Sequence, residues 1–169
     1  MIPAPKYLWG TTSALGLAIA ATTCVLDQAL KLWLLRVFDL AAKGRVAVTP
    51  FFDLVLTWNA GISYGWFQQD GPLGQWALLT LKAVALALLW SWLTRAGSWL
   101  AAISLGLIIG GAVGNAIDRL AYGAVADFAL LHAWGFNWYV FNLADVAIVA
   151  GVAGLLYVSV VGERAAKAP

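Results

Sequence analysis

Gly110-Gly111-Ala112-Val113-Gly114-Asn115-Ala116-Ile117-Asp118-Arg119 closes a long apolar run, yet it ends in an amide, a carboxylate and a guanidinium. Further on, Phe141-Asn142-Leu143-Ala144-Asp145 opens the last apolar run. Both segments contain Asn-x-x-Asp, and positions i and i+3 share a helix face, so each helix would hold an amide beside a carboxyl group. Ionisable groups within or beside membrane spans are costly and mark function by default. The competing reading is a pair of solvated helix ends, each with one stray acid.

The composition decides the solvent. Of 169 residues, 63% are hydrophobic and 11% charged, with a mean hydropathy of +0.85. A soluble domain is nearer half apolar and a quarter charged, so the chain is a membrane protein of one domain, residues 1–169. A net charge of +2 with no basic run gives no case for nucleic acid. One cysteine, Cys24, excludes an intrachain disulfide and a thiolate metal cluster. One histidine, His132, excludes a zinc site built on two or three His ligands. Carboxylates, amides, hydroxyls, Lys and Arg are left to do the chemistry, without a cofactor or a resident metal.

Four stretches are long and apolar enough to span a bilayer, near 8–27, 73–94, 99–119 and 139–161, since about 20 residues are needed. The first lacks the basic lead and small-x-small site of a cleaved signal peptide, so it is retained as a span. Trp9, Trp76, Trp90, Trp92, Trp99 and Trp138 fall at span ends, where aromatic belts form. Between spans one and two, Asp27 and Lys31 make an acid-first i, i+4 pair. Leu32 to Leu40, with Arg36 and Asp39 interspersed, suits a short interfacial helix. Val46, Val48, Phe52 and Val55 to Trp58 are strand-prone, and Pro50 interrupts them. Residues 41–72 are therefore expected to form a small strand-rich module outside the membrane, with Asn59 at its tip. Its apolar stretch Ile62 to Phe67 is expected to lie on lipid or on an apolar substrate, and the module, which carries Tyr64, Trp66 and Phe67, is expected to act as a gate. Leu120 to Trp138 reads as a loop carrying Asp127 and His132. The expected architecture is thus all-α and polytopic, with four transmembrane helices and a strand-rich cradle.

Connectivity places the acids. Spans three and four share one loop, so Asp118 and Asp145 can converge just below one membrane face. Two carboxyl groups in a low-dielectric site share a proton. One can take a proton from water while the other donates to a carbonyl oxygen, which is general acid–base hydrolysis of an amide. Two other readings use the same groups: a proton- or cation-coupled transporter, and a Mg²⁺ or Ca²⁺ site on Asp118, Asp145 and the Asn oxygens. Asp27 and Lys31, beside the first span, are expected to serve folding or lipid contact more than chemistry. Arg119 is expected to pair with a carboxylate or a lipid phosphate.

Five motifs in order resemble the lipoprotein signal peptidase family, the signal peptidase II group of bacterial aspartic peptidases. They are Asp27-Gln28 with Lys31; Asn59-x-Gly61; Gly110 through Asn115-x-x-Asp118-Arg119; Val125-x-Asp127-Phe128; and Phe141-Asn142-x-Ala144-Asp145. The chain departs at Ile62-Ser63-Tyr64-Gly65, where many members have Ala-Ala-Phe-Ser, and at Ala126, where Val or another aliphatic is common. The resemblance implies Asp118 and Asp145 as the catalytic pair. Asn59, Gly61, Asn115, Arg119, Asp127, Asn142, Ala144, Asp27 and Lys31 would support or line the site. It implies a substrate, a prolipoprotein whose cysteine carries diacylglycerol, cut on the amino side of that cysteine. It also implies a monomer in contact with membrane lipid in the bacterial inner membrane. Both termini would be cytoplasmic and the site near the extracytoplasmic face. Lys and Arg counts do not discriminate between the two orientations.

Overall fold

The computed structural model describes residues 8–60 and 72–166. In chain order the elements are α1 (Ser13–Arg36), α2 (Leu40–Lys43), β1 (Val46–Thr49), β2 (Phe52–Asn59), α3 (Pro72–Leu93), α4 (Trp99–Tyr122), β3 (Val125–Ala133), β4 (Phe136–Phe141) and α5 (Leu143–Ala166).

Among the described residues, three helices are long and apolar enough to cross a membrane: Ser13–Arg36, Trp99–Tyr122 and Leu143–Val161. At 1.5 Å per residue, a helix of 24 residues reaches roughly 36 Å, more than the hydrocarbon core. The fourth expected span falls on α3, whose described residues include the apolar stretch Leu79–Leu93.

α4 is the central helix, with α1, α3 and α5 packed against it. Lipid is as apolar as leucine, so helices associate by close packing, and small residues permit it. A Cβ at Gly110 would stand 2.5 Å from the carbonyl oxygen of Ala20, and one at Gly111 would stand 2.5 Å from that of Ala144. These two adjacent glycines let the backbones of α1 and α5 close on α4 from different sides. At one end of the bundle the Ser98 hydroxyl caps α4 by accepting from the Ala101 N–H at 3.2 Å. The Thr12 hydroxyl donates to the Ala96 carbonyl beside it. At the other end α4 stops at Gly123, whose φ of 76° suits a left-handed helix cap.

That second end carries an antiparallel sheet of order β1-β2-β3-β4. Asn59 pairs with Val125 and Phe52 with Leu131 across β2 and β3, with a bulge between Leu54 and Thr57. The sheet rests on the end of α1. Leu34, Leu40, Phe128 and Ala129 are buried together, with Leu30, Phe52, Leu54 and Leu143 packed around them.

Three expectations require correction. First, Leu120 to Trp138 is not a loop. It supplies β3 and most of a hairpin with β4, so half of the sheet lies outside 41–72 and the molecule is not all-α. Val125 to Leu130 is buried at every position, so the alternation that announces a strand is missing. The turn is Trp134-Gly135, with φ of 49° and 81°, in place of the Asn-Gly that usually marks such a turn. Second, α1 does not give way to an interfacial helix over 32–40. No Gly or Pro interrupts Leu17 to Lys43, and the helix runs unbroken to Arg36. The chain turns at Asp39, in the left-handed region at φ 52°, and only the short α2 follows. Third, the last helix begins at Leu143, because Tyr139 to Phe141 belong to β4. Gly61 and the apolar stretch Ile62 to Phe67 lie outside the described residues.

Candidate active site

The unbroken α1 brings Asp27 and Lys31 alongside α4. Lys31 Nζ lies 2.8 Å from Asp27 Oδ2, 2.8 Å from Asp118 Oδ2 and 3.0 Å from Asn115 Oδ1. All four side chains are buried. Gln28 Nε2 donates to Asp118 Oδ1 at 2.9 Å and to the Gly114 carbonyl at 3.1 Å. The Ala126 N–H, at the start of β3, donates to Asp118 Oδ2 at 3.2 Å. The carboxylate of Asp118 is thus held by an ammonium, an amide and a backbone N–H. α4 must be bare at Gly114 for this, because a Cβ there would stand 2.6 Å from Asp27 Oδ2.

Asp27 and Lys31, expected to serve folding or lipid contact, instead touch both Asn-x-x-Asp segments. Lys31 bonds Asp118 and Asn115 directly, and Asp27 Oδ1 accepts from the Ala144 N–H at 3.0 Å.

Asp145 is placed by the start of α5. Asn142 precedes the helix, and its Oδ1 accepts from the Asp145 N–H at 2.9 Å. Asp145 Oδ2 accepts in return from the Asn142 N–H at 3.2 Å. This reciprocal pair satisfies two backbone donors, in the manner of a capping box. The Ala144 N–H, bonded to Asp27, is a third donor satisfied near that terminus. Asn115 Nδ2 then donates to Asp145 Oδ1 at 3.0 Å. One amide therefore touches both halves of the site: Asn115 bonds Asp145 through its nitrogen and, through its oxygen, the lysine that holds Asp118.

Asp127 lies behind this pair. Asn142 Nδ2 donates to its Oδ1 at 2.6 Å and Asn59 Nδ2 to its Oδ2 at 3.2 Å. Burial, and then the charge of Asp145, push its carboxyl up to about 6, against the donors from Asn59 and Asn142. Arg119 is buried at the last turn of α4, with Nη1 3.5 Å from the Asn115 carbonyl. The charges of Asp127, Asp118 and Asp145 act on it. So Asn59, Asn115, Asp118, Arg119, Asp127, Asn142, Ala144, Asp145, Asp27 and Lys31 all meet at one end of the bundle. Of the residues proposed from sequence, only Gly61 lies outside the described part.

Gln28 and the backbone of Ala126 were given no role in the sequence reading. Gln28 was legible as the neighbour of Asp27, but an N–H donor leaves no mark on residue type. His132 belongs elsewhere. Its Nε2 lies 3.1 Å from Asp53 Oδ1 in the sheet, and Arg45 pairs with the same carboxylate, holding Asp53 below the usual range.

Asp118 is only 1% exposed, whereas Asp145 is half-buried and reaches a cleft. The cleft has a volume of about 330 Å³ and is lined by Trp138, Tyr139, Phe141, Val149 and Ala153 as well as Asp145. It is an apolar groove that ends at a carboxyl group. Among the described residues, no three His, Cys, Asp or Glu side chains converge as a metal site would require.

The same arrangement of elements occurs in a bacterial membrane enzyme solved by the in meso method at 2.3 Å. The TM-score is 0.75 at 21% identity, over 92% of each chain. A family model described as signal peptidase (SPase) II matches residues 19–161. The chain is 63% identical over 163 residues to a lipoprotein signal peptidase of Rhodopseudomonas palustris (strain ATCC BAA-98 / CGA009), covering 94% of this chain and 99% of that one. It is 61% identical over 158 residues to a lipoprotein signal peptidase of Nitrobacter hamburgensis, covering 91% and 96%.

Proposed function

The chain belongs to the signal peptidase II family of membrane proteases, and on that premise we propose that Asp118 and Asp145 are its catalytic pair. The substrate is a bacterial prolipoprotein whose cysteine already carries a diacylglyceryl group. The bond cut is the one on the amino side of that cysteine. The observation that carries this reading is the double engagement of Asn115. Its amide bonds Asp145 and accepts from Lys31, which also holds Asp118. Two carboxyl groups from different helices are thereby tied to one point.

One carboxylate takes a proton from water as the oxygen attacks the carbonyl carbon. The other donates to the carbonyl oxygen and, as the intermediate collapses, a proton reaches the leaving nitrogen. No covalent enzyme intermediate is needed. Asn115, Asn142, Lys31 and Gln28 hold the two groups in place, which is where orientation contributes to the rate. The apolar cleft below Asp145 follows α5 past Val149 to Ala153. It is the seat proposed for the substrate's lipid, each buried CH₂ of which is worth about 0.8 kcal/mol.

In the membrane the proposed arrangement is a monomeric single domain with four spans, α3 being the fourth. Both termini are on the cytoplasmic side of the bacterial inner membrane, and the sheet and site are at the extracytoplasmic face. The experiment is incubation of the purified chain with prolipoprotein, with and without the diacylglyceryl group, followed by mass measurement. Cleavage next to the lipidated cysteine, far slower without the lipid, is the expected result. Equal rates on both forms would remove lipid from the recognition, and no cleavage of either would remove the reaction.

A further inference from the structure

Lys82 is the single charged residue of α3. It is half-buried, ten residues from Pro72 and eleven from Leu93, so about 15 Å of helix lies on either side. An ionisable side chain at such a depth is costly, and by default it marks function. Among the described residues it makes no hydrogen bond or ion pair.

Its direction is set by the fold. α3 and α4 are joined by a short turn and run antiparallel, so the N-terminal end of α3 lies beside the C-terminal end of α4, where the site is. Side chains on a helix lean toward its N-terminus. Lys82 therefore leans toward the site. The charges that act on it are those of Arg119, Asp145, Lys31 and Asp118. Six residues, about 9 Å of helix, separate it from Trp76 at the span end, so the lysine starts below the aromatic belt. A cation at this level, without a hydrogen bond or ion pair among the described residues, is placed to take up an anion that arises at the site.

The proposed reaction makes one there. Water adds across the scissile amide, the C–N bond breaks, and the hydroxyl stays on the acyl carbon. The new carboxylic acid yields its proton and the new amine gains one. The amine leaves with the lipid-anchored product. The carboxylate remains on the signal segment, beside two acidic side chains that repel it. We propose that Lys82 is the counter-ion that takes up this new carboxylate as the cleaved segment withdraws from the site. The proposal rests on the reaction proposed above, and it adds a product site to it.

The test uses the full chain in lipid nanodiscs and two synthetic peptides with the sequence of a signal segment. One ends in a free carboxylate and the other in a carboxamide. Each is measured as an inhibitor of cleavage of lipid-modified prolipoprotein. The carboxylate peptide should inhibit the intact chain at about tenfold lower concentration than its amide twin, the range expected for a hydrogen bond between charged groups. The preference should vanish in Lys82→Met and in Lys82→Gln and should largely persist in Lys82→Arg. Equal inhibition by both peptides, or a preference that survives Lys82→Met, would overturn the role of Lys82 while leaving the peptidase reading intact. Failure of the intact chain to cleave would instead remove that reading. A chain that prefers anionic over zwitterionic nanodiscs through Lys82, with no peptide preference, would assign the lysine to lipid phosphate and overturn the proposal.

Discussion

At the scale of single residues the site is a chain of buried polar groups with matched partners. Buried charge is tolerable only where it is paired and hydrogen-bonded. Lys31 and Asp27 meet that condition, and their pairing depends on an absence, the missing side chain of Gly114. Gly114→Ala places a methyl group 2.6 Å from Asp27 Oδ2. Asp27 must then shift from Lys31 or from the Ala144 N–H. The variant should lose about 1–3 kcal/mol of stability, as for other overpacked interiors, with reduced turnover per folded molecule. Thermal unfolding in detergent and a cleavage assay on the same preparation check both effects. The sequence showed Asp27-Gln28 and Lys31 as a motif but not what they touch. Nothing near Asp27 announces a partner 117 residues away. The hint lay in the small residues of both helices, Gly16 and Ala20 on α1 and Gly106, Gly110 and Gly114 on α4, whose spacing sets the register. Gly106 and Gly110 meet the carbonyls of Gly16 and Ala20, and one turn further Gly114 meets Asp27.

At the scale of elements, the β3–β4 hairpin is the piece that sequence reasoning missed. β1 and β2 were legible because β-branched and aromatic residues alternate there with others. β3 is covered on both sides and shows a continuous apolar run, which periodicity cannot separate from a loop or a buried helix segment. Its turn also breaks the local rule. Trp134 has φ 49° and is 99% exposed, so it takes on a left-handed conformation without burying its indole. A non-glycine residue there costs about 1–2 kcal/mol, which Asn tolerates better. Trp134→Asn should therefore raise the melting temperature in detergent by the equivalent of about 1 kcal/mol. A fall would mean that the exposed indole makes a stabilising contact with the surrounding amphiphile. The start of α5 was half legible. Asn142 and Asp145 were read as sharing a face of one helix. They cap its end reciprocally, and that is how a catalytic candidate is fixed at a helix N-terminus.

At the scale of the molecule, composition alone led to a membrane protein. The loop joining spans three and four placed Asp118 and Asp145 at one end, and Asn115 links them, bonding Asp145 directly and Asp118 through Lys31. The remaining carboxyl of the network gives the whole fold a pH dependence. Asp127 has a folded-state value of about 6 against 3.8 for an unperturbed carboxyl. Between these values the folded chain keeps a proton that the unfolded chain releases. Stability from this group is therefore complete below about 3.8 and is lost as pH rises through about 6, by roughly 3 kcal/mol at most. Asp127→Asn removes the titration. Melting temperatures at pH 4.5 and 7.5 should show the variant gaining relative to the parent at the higher pH. An unchanged difference between the two chains would contradict the burial argument.

The central claim is that Asp118 and Asp145 act as one catalytic unit, and their separate replacement tests it most directly. Asp→Asn keeps the shape of the side chain and removes its proton exchange. Initial cleavage rates on lipid-modified prolipoprotein, read by mass, should fall at least about 10²–10⁴-fold in Asp118→Asn and equally in Asp145→Asn. Both variants should still be recovered folded. Near-normal turnover by either folded variant would contradict the account.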